Sequence, residues 1–227
     1  MQLFKLHFFE VVACPFAKDY IGNLMLVILR TFGGSEDIKL AQLYEHISQY
    51  YAEVGATSKL DNLTMNMIRA KAGKSPKLKA KAGEIRDLVP WCLKACKDLL
   101  NHEDVEHHTC TAASSYLVEV CSCLSVDQFD KDKFHAAGTN FLKLYLALEE
   151  AVGTDSFRWK WKPKFHMMAH LCTSSLSSPA KYWTYRDESF GGSMSHTATH
   201  RGGANWPSAI SRNSLNKFVA QNQVPQL

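Results

Sequence analysis

The chain has 227 residues, of which 46% are hydrophobic and 21% charged, and its formal net charge at pH 7 is +4. This is the composition of an ordinary globular protein, and the length allows one large domain or two small ones with a buried core. The mild positive charge permits an acidic partner without requiring one. No apolar run approaches the ~18 residues of a transmembrane helix, so we expect no membrane partner.

The seven cysteines are odd in number and scattered along the chain, which argues against a disulfide framework. We therefore expect reduced thiols in an intracellular protein, nuclear or cytoplasmic. Lys5, His7 and Glu10 interrupt the apolar N-terminal stretch and make it a poor signal peptide.

The first half of the chain reads as helices separated by short breaks. A helix over Tyr20–Phe32 is apolar on most faces and ends at a pair of glycines, and a second helix over Ile38–Val54 has apolar residues at helical spacing and ends at Gly55. Residues 69–81 carry six basic residues together with Gly73 and Pro76, which indicates a basic loop.

The remaining elements are also mostly helical. We expect a helix from about Leu78 to Leu100, in which Pro90 begins a second helix, and an antiparallel pair over Val105–Leu124 and Lys131–Val152. Further helices are predicted over Pro163–Cys172 and Ser208–Gln221, with a strand-like run at 182–185. The predicted fold is mainly α, an irregular multi-helix bundle with at most a short strand or hairpin near 182–185. We expect either two domains, residues 1–60 and 61–227, or one continuous domain.

Two basic segments are candidates for nucleic-acid binding. In the second segment, residues 157–165, basic side chains alternate with aromatic ones. This pattern suits the stacking of single-stranded bases on the rings. The same pattern is expected if the tryptophans lie in the core and the lysines reach the solvent. The predicted phosphate contacts in these two segments are Lys71, Lys74, Lys77, Lys79, Lys81, Arg158, Lys160, Lys162 and Lys164.

Metal-binding patterns are few. His166 and His170 lie four residues apart on a predicted helix and are the candidate metal ligands, but Met and Ala stand where a zinc protease has its catalytic glutamate. Cys121 and Cys123 point about 200° apart on a helix and cannot share one ion. We therefore expect no structural zinc and no cofactor.

The C-terminal region resembles DNA transposon proteins. The sequence PKFHMMAHLC at 163–172 followed by YWTYRDESFGG at 182–192, with LKAKAGEIRDLVPW at 78–91, is similar to the C-terminal part of DDE transposase-like proteins. The resemblance covers residues 75–220. It implies a helical insertion followed by the last acidic helix of an RNase H-like core, whose three carboxylates hold two divalent metals.

On this resemblance, Glu188 corresponds to the last catalytic acid, and Arg186 and Arg201 are expected to face DNA. The first half of the chain, however, has no strand-rich segment, and Asp19, Asp37 and Asp61 lie in predicted helices or loops. We therefore expect a transposon-derived fragment with modest, sequence-independent nucleic-acid binding and no catalysis alone. The alternatives are a nuclease that uses Glu188 with Mg²⁺ or Mn²⁺, a helical protein-interaction scaffold, and a gene fragment whose fold is incomplete.

Overall fold

The structure, a computed structural model, describes residues 8–68, 74–124, 128–153 and 156–182, with side chains from Phe16 to Ala180. These ranges contain helices and no strand, so the predicted mainly α fold is confirmed. The helices are α1 (Phe8–Thr31), α2 (Glu36–Val54), α3 (Met65–Ile68), α4 (Ala82–Leu99), α5 (Val105–Ser122), α6 (Lys131–Val152) and α7 (Pro163–Ser174), followed by a 3₁₀ turn at Pro179–Tyr182.

Helix α1 lies at the centre of the bundle. It contacts α2, α3, α4 and α7, so nearly every side chain from Phe16 to Leu29 is buried. A helix that is apolar on all sides needs neighbours on all sides, and this explains the composition of the segment. The exposed apolar face that an incomplete fold would show is not found on these positions.

Helix α4 corrects one prediction. It runs without a break from Ala82 to Leu99, through Pro90, so Pro90 does not begin a second helix. Pro90 and Arg86 lie on the exposed face of α4, where water can hydrate the carbonyl that the proline leaves without a donor. The helix also begins later than predicted, and its first turn is closed by the Lys81 amide, which donates to Glu84 Oε2 at 2.7 Å.

Helices α5 and α6 pack against each other, and α6 also packs on α7. The predicted helix Lys131–Val152 is confirmed as one continuous element. Its apolar stripe is buried as expected, with Phe141 and Tyr145 fully covered and Leu148 only 1% exposed. Trp159, Trp161 and Phe165 pack against Tyr145 of this stripe.

Several predictions fall outside the described residues. These are the strand-like residues 183–185, the helix carrying Glu188 and the helix over Ser208–Gln221. Helices on both sides of the predicted boundary at residue 60 contact α1. Within the described ranges, every helix is too short or too polar to cross a membrane.

Candidate nucleic-acid interface

The structure describes the first basic segment from residue 74 onward. The amides of Lys77 and Lys79 donate to the carbonyls of Ile68 and Met67, and the amide of Leu78 donates to the carbonyl of Lys18 on α1. These bonds satisfy backbone groups that a solvent-exposed loop leaves to water. The predicted loop is therefore a fixed segment along one side of α1.

Exposure alternates along this segment. Pro76 and Leu78 are buried against the bundle, whereas Lys77, Lys79 and Lys81 are exposed. Lys74, at the start of the segment, is exposed as well. We call Lys74, Lys77, Lys79 and Lys81 the lysine row. Lys77, Lys79 and Lys81 alternate with more buried residues and so lie on one side of the segment, whereas Lys74, three residues before Lys77, is grouped with them by its exposure.

A glycine on α1 permits this close approach. A Cβ added at Gly22 would lie 2.6 Å from the amide nitrogen of Leu78 and 2.8 Å from the Lys77 Cα. Both neighbours are backbone atoms, which cannot move aside as the end of a flexible side chain can. Glycine at this position therefore allows the lysine row to lie directly on α1.

The second basic segment meets the same part of α1. Lys162 Nζ lies 2.8 Å from Oδ2 of Asp19, and Lys164 Nζ contacts the same oxygen. Asp19 has no exposed surface, while the side chains of Lys162 and Lys164 are 31% and 15% exposed. A buried carboxylate requires such partners, because an unpaired buried charge is strongly destabilising.

Lys164 connects the two basic segments electrostatically. Its pKa is lowered from 10.5 to about 8, chiefly by burial and further by the charges of Lys162 and Lys77, while Asp19 acts in the opposite direction. Lys77 belongs to the lysine row, so the two segments are close enough for their charges to interact. The three lysines and one aspartate of this group leave a net charge of +2.

Arg158 has a different role. Its guanidinium forms two hydrogen bonds with the carboxylate of Glu106 at the start of α5, and it is 15% exposed. The indole Nε1 of Trp159 donates to the same carboxylate at 2.9 Å. Trp159 has a left-handed backbone, with φ of 55°, and its amide donates to Asn23 Oδ1 at 2.9 Å. These bonds hold the loop before α7 against α1 and α5.

The rings between the cations are divided between core and surface. Trp159 and Phe165 are fully buried, and the centroid of Phe165 lies 4.1 Å from that of Tyr145. Trp161 stacks on Phe165 at 5.3 Å with 36% of its surface exposed, and Phe157 is 54% exposed. Two of the four rings thus belong to the core, and two remain accessible for contact with a partner.

The two histidines of α7 face each other on the exposed side of the helix. Their Nε2 atoms are 2.9 Å apart and their ring centroids are 4.4 Å apart, nearly edge to face. This juxtaposition follows from their spacing, since residues four apart lie on one helix face.

Five of the six described cysteines are buried, and Cys121 is partly buried. None of the six described cysteines is in a disulfide. Burial raises the pKa of the Cys121 and Cys172 thiols to about 12 and that of Cys96 to about 11, so few thiolates form at neutral pH. No group of three or more His, Cys, Asp or Glu side chains among the described residues is arranged to hold a metal ion.

The catalytic candidate Glu188 lies outside the described residues, as do the predicted contacts Lys71, Arg186 and Arg201. Asp19 and Asp37 are two of the acids that could join Glu188 in a two-metal site. Asp19 forms ion pairs with two lysines, and Asp37 lies in the first turn of α2. Lys160 is half-buried, and its carbonyl accepts a 3.5 Å hydrogen bond from the Tyr145 hydroxyl.

Sequence reasoning missed the counter-ions Asp19 and Glu106. One signal was available for Asp19, because a carboxylate within an otherwise apolar central helix has to be paired. Nothing in the sequence indicated which cations would pair with it. Comparisons of the chain with models of protein families, with curated proteins and with solved structures found no match.

Proposed function

We propose that the chain binds the phosphate backbone of nucleic acid, without sequence preference, through the lysine row and the adjoining Lys162 and Lys164. The observation that carries this proposal is the exposure of the lysine row on an ordered segment. Side chains on a fixed backbone lose less conformational freedom on binding than those of a mobile loop. This function agrees with the resemblance to transposon proteins, and we propose that the isolated chain binds without catalysing a reaction.

The charges of the lysine row are only partly neutralised within the protein. Lys81 lies 3.6 Å from Glu84 but is 85% exposed, so this pair is weak. Among the described residues, no carboxylate lies within 4 Å of the ammonium group of Lys74, Lys77 or Lys79. These three lysines therefore carry the proposed contacts with phosphate.

Arg158 contributes little to this surface, because Glu106 already occupies its guanidinium. Phe157 and Trp161, in the same segment as Lys162, are exposed aromatic rings. A base that stacks on an exposed ring contributes about 1–3 kcal/mol to the binding free energy. We therefore expect single strands to bind more tightly than duplexes of the same length.

The test is fluorescence anisotropy with labelled single-stranded and duplex oligonucleotides over a range of salt concentrations. With about five phosphate contacts, log K falls with log salt at a slope of about −4. Replacing Lys74, Lys77 and Lys79 together with Gln should weaken binding and make the slope shallower by about 2–3.

The matched control replaces Lys97, Lys131 and Lys143 with Gln. These lysines are exposed on α4 and α6, away from the lysine row, and the change in net charge is the same. Equal loss of affinity in both triple variants, or binding that does not depend on salt, would refute the proposal. Adding Mg²⁺ or Mn²⁺ tests the nuclease alternative, which requires strand cleavage that a Glu188→Gln variant abolishes.

A further inference from the structure

The facing histidines of α7 have the geometry of a chelating pair. His166 and His170 are both exposed, and their Nε2 atoms are 2.9 Å apart with the rings inclined at 82°. In a hydrogen bond between two Nε2 atoms, one ring donates its proton and the other accepts with its lone pair. A metal ion could replace the shared proton once both rings turn so that their Nε2 lone pairs point to one position beside the line that joins the two nitrogens.

The separation of the nitrogens selects a coordination geometry. With metal–nitrogen bonds of about 2.0–2.1 Å, two nitrogens 2.9 Å apart subtend about 90° at the metal. A tetrahedral ion would require a separation of about 3.3–3.4 Å at the same bond length. An angle of about 90° is that of neighbouring positions in a square-planar or tetragonal site, which is typical of Cu(II) and Ni(II).

We propose that His166 and His170 form a two-nitrogen site for a divalent transition-metal ion, with Cu(II) as the preferred ion. Imidazole is a suitable ligand for copper, and Cu(II) binds most tightly in the series of first-row divalent ions. This proposal concerns a different surface chemistry from the lysine row and does not depend on nucleic-acid binding.

The surroundings leave the other coordination positions to solvent. No third His, Cys, Asp or Glu of the described residues joins the pair as a ligand group. The nearby hydroxyls of Thr173 and Ser174 donate to carbonyls of α7, including that of His170, and so stabilise this turn of the helix. The ion would be held by two protein nitrogens and completed by water or by an external ligand, in contrast to a closed structural site.

The experiment uses the full chain, without a histidine tag, after treatment with a chelator. Cu(II) is titrated in competition with a chelator of known affinity, and electron paramagnetic resonance reports the number of nitrogen ligands. We expect one Cu(II) with two imidazole nitrogens in a tetragonal site. Replacing either His166 or His170 with Gln should weaken binding at least ~10-fold, as expected when one of two protein ligands is lost, and the double variant should lose the site.

The chain supplies a matched control. His196 and His200 are also four residues apart in the sequence but lie outside the described residues. The His196→Gln/His200→Gln variant should retain the affinity of the original chain. Absence of Cu(II) binding, or an affinity that survives in the His166→Gln/His170→Gln variant, would overturn the proposal. Loss of binding only in the control variant would overturn it too.

A folding control accompanies these measurements. Both histidines are exposed, so the substituted chains should have the circular dichroism spectrum and melting temperature of the metal-free original. Since an ion that binds only the native state stabilises it, Cu(II) should raise the melting temperature of the original chain and of the control variant. An equal rise in the His166→Gln/His170→Gln variant would contradict the assigned site.

Discussion

Lys162 Nζ lies 2.8 Å from Oδ2 of Asp19, a residue with no solvent-exposed surface. Asp19 lies on the central helix α1, and Lys162 immediately precedes α7, so this contact joins the loop before α7 to the core. Lys164 contacts the same oxygen. The carboxylate thus offsets part of the repulsion among cations that are gathered at the candidate interface.

Replacing Asp19 with Asn should destabilise the protein by about 2–4 kcal/mol. The protein loses stability because two largely buried ammonium groups lose their counter-ion. The loss of unfolding free energy is smaller than for a fully buried ion pair, because Lys162 reaches solvent. Urea unfolding measures this change. The control is Asp98→Asn, since Asp98 also contacts two side chains, Lys94 and His46, but is 40% exposed, and there we expect at most about 1 kcal/mol. Equal effects at the two positions would contradict the assigned burial.

Lys164 should titrate well below an ordinary lysine. Its pKa in the native state is about 8, against 10.5 for an ordinary lysine, chiefly because of burial. Between these two values the unfolded chain binds more protons than the native one, so the contribution of Lys164 to the unfolding free energy rises with pH from about 8 to about 10.5. Below pH 8 the cost of burying the charge is fully present.

This prediction is measured by comparing the unfolding free energies of the original chain and a Lys164→Met variant across that pH range. Their difference should shift in favour of the original chain as the pH rises. A ¹³C resonance of dimethylated Lys164, assigned by its absence in the variant, should titrate near pH 8. A midpoint near 10.5 would show that the amine is solvated.

Replacing Gly138 with Ala should destabilise the contact between α6 and α7. The added Cβ would overlap the Cys172 sulfur and lie 3.1 Å from the Cys172 Cβ. Overpacking of this kind costs about 1–3 kcal/mol, which exceeds the gain of about 0.5–1 kcal/mol from placing Ala rather than Gly in a helix.

The partner substitution tests the mechanism. Cys172→Ala alone should destabilise the protein by removing buried sulfur, but in the Gly138→Ala background it should restore part of the lost stability by removing the overlapping atom. Thermal unfolding of the single and double variants gives the coupling energy. Simple additivity of the two changes would mean that the steric contact is absent.

Glu106→Gln should cost about 1.5–3 kcal/mol. The carboxylate accepts two hydrogen bonds from Arg158 and one from Trp159, and an amide cannot accept with its nitrogen, so the guanidinium is left partly unpaired. Glu103→Gln is the control because Glu103 is exposed, and its effect should stay within about 0.5 kcal/mol. Near-ultraviolet circular dichroism should change only in the Glu106 variant, since the indole of Trp159, one of the fixed aromatic rings that give this signal, loses a hydrogen-bond partner.

The sequence by itself predicted most of the helices, although α1 begins at Phe8, well before the predicted start at Tyr20. Apolar spacing and terminal glycines predicted the helix at Lys131–Val152 and the end of α2 at Gly55, because both signals act over one or two turns of chain. The overall class, mainly α, followed from the same local patterns. The prediction that Pro90 begins a new helix was wrong. A proline removes one backbone hydrogen bond from a helix, but on the exposed side water can take the place of the missing donor, so the helix continues. Only the packing of α4 shows that Pro90 lies on the exposed side.

The tertiary structure alone decided the roles of the charged side chains. Arg158 and Lys162 belong to the same basic run of the sequence, yet one is bound to Glu106 and the other to Asp19, at separations of 52 residues and more. Charge pairing depends on distance in space, and the sequence carries no local signal for contacts between distant segments. For the same reason, only the fold revealed that the lysine row at 74–81 and the basic segment at 158–164 meet on one helix, at Asp19 and Gly22 of α1.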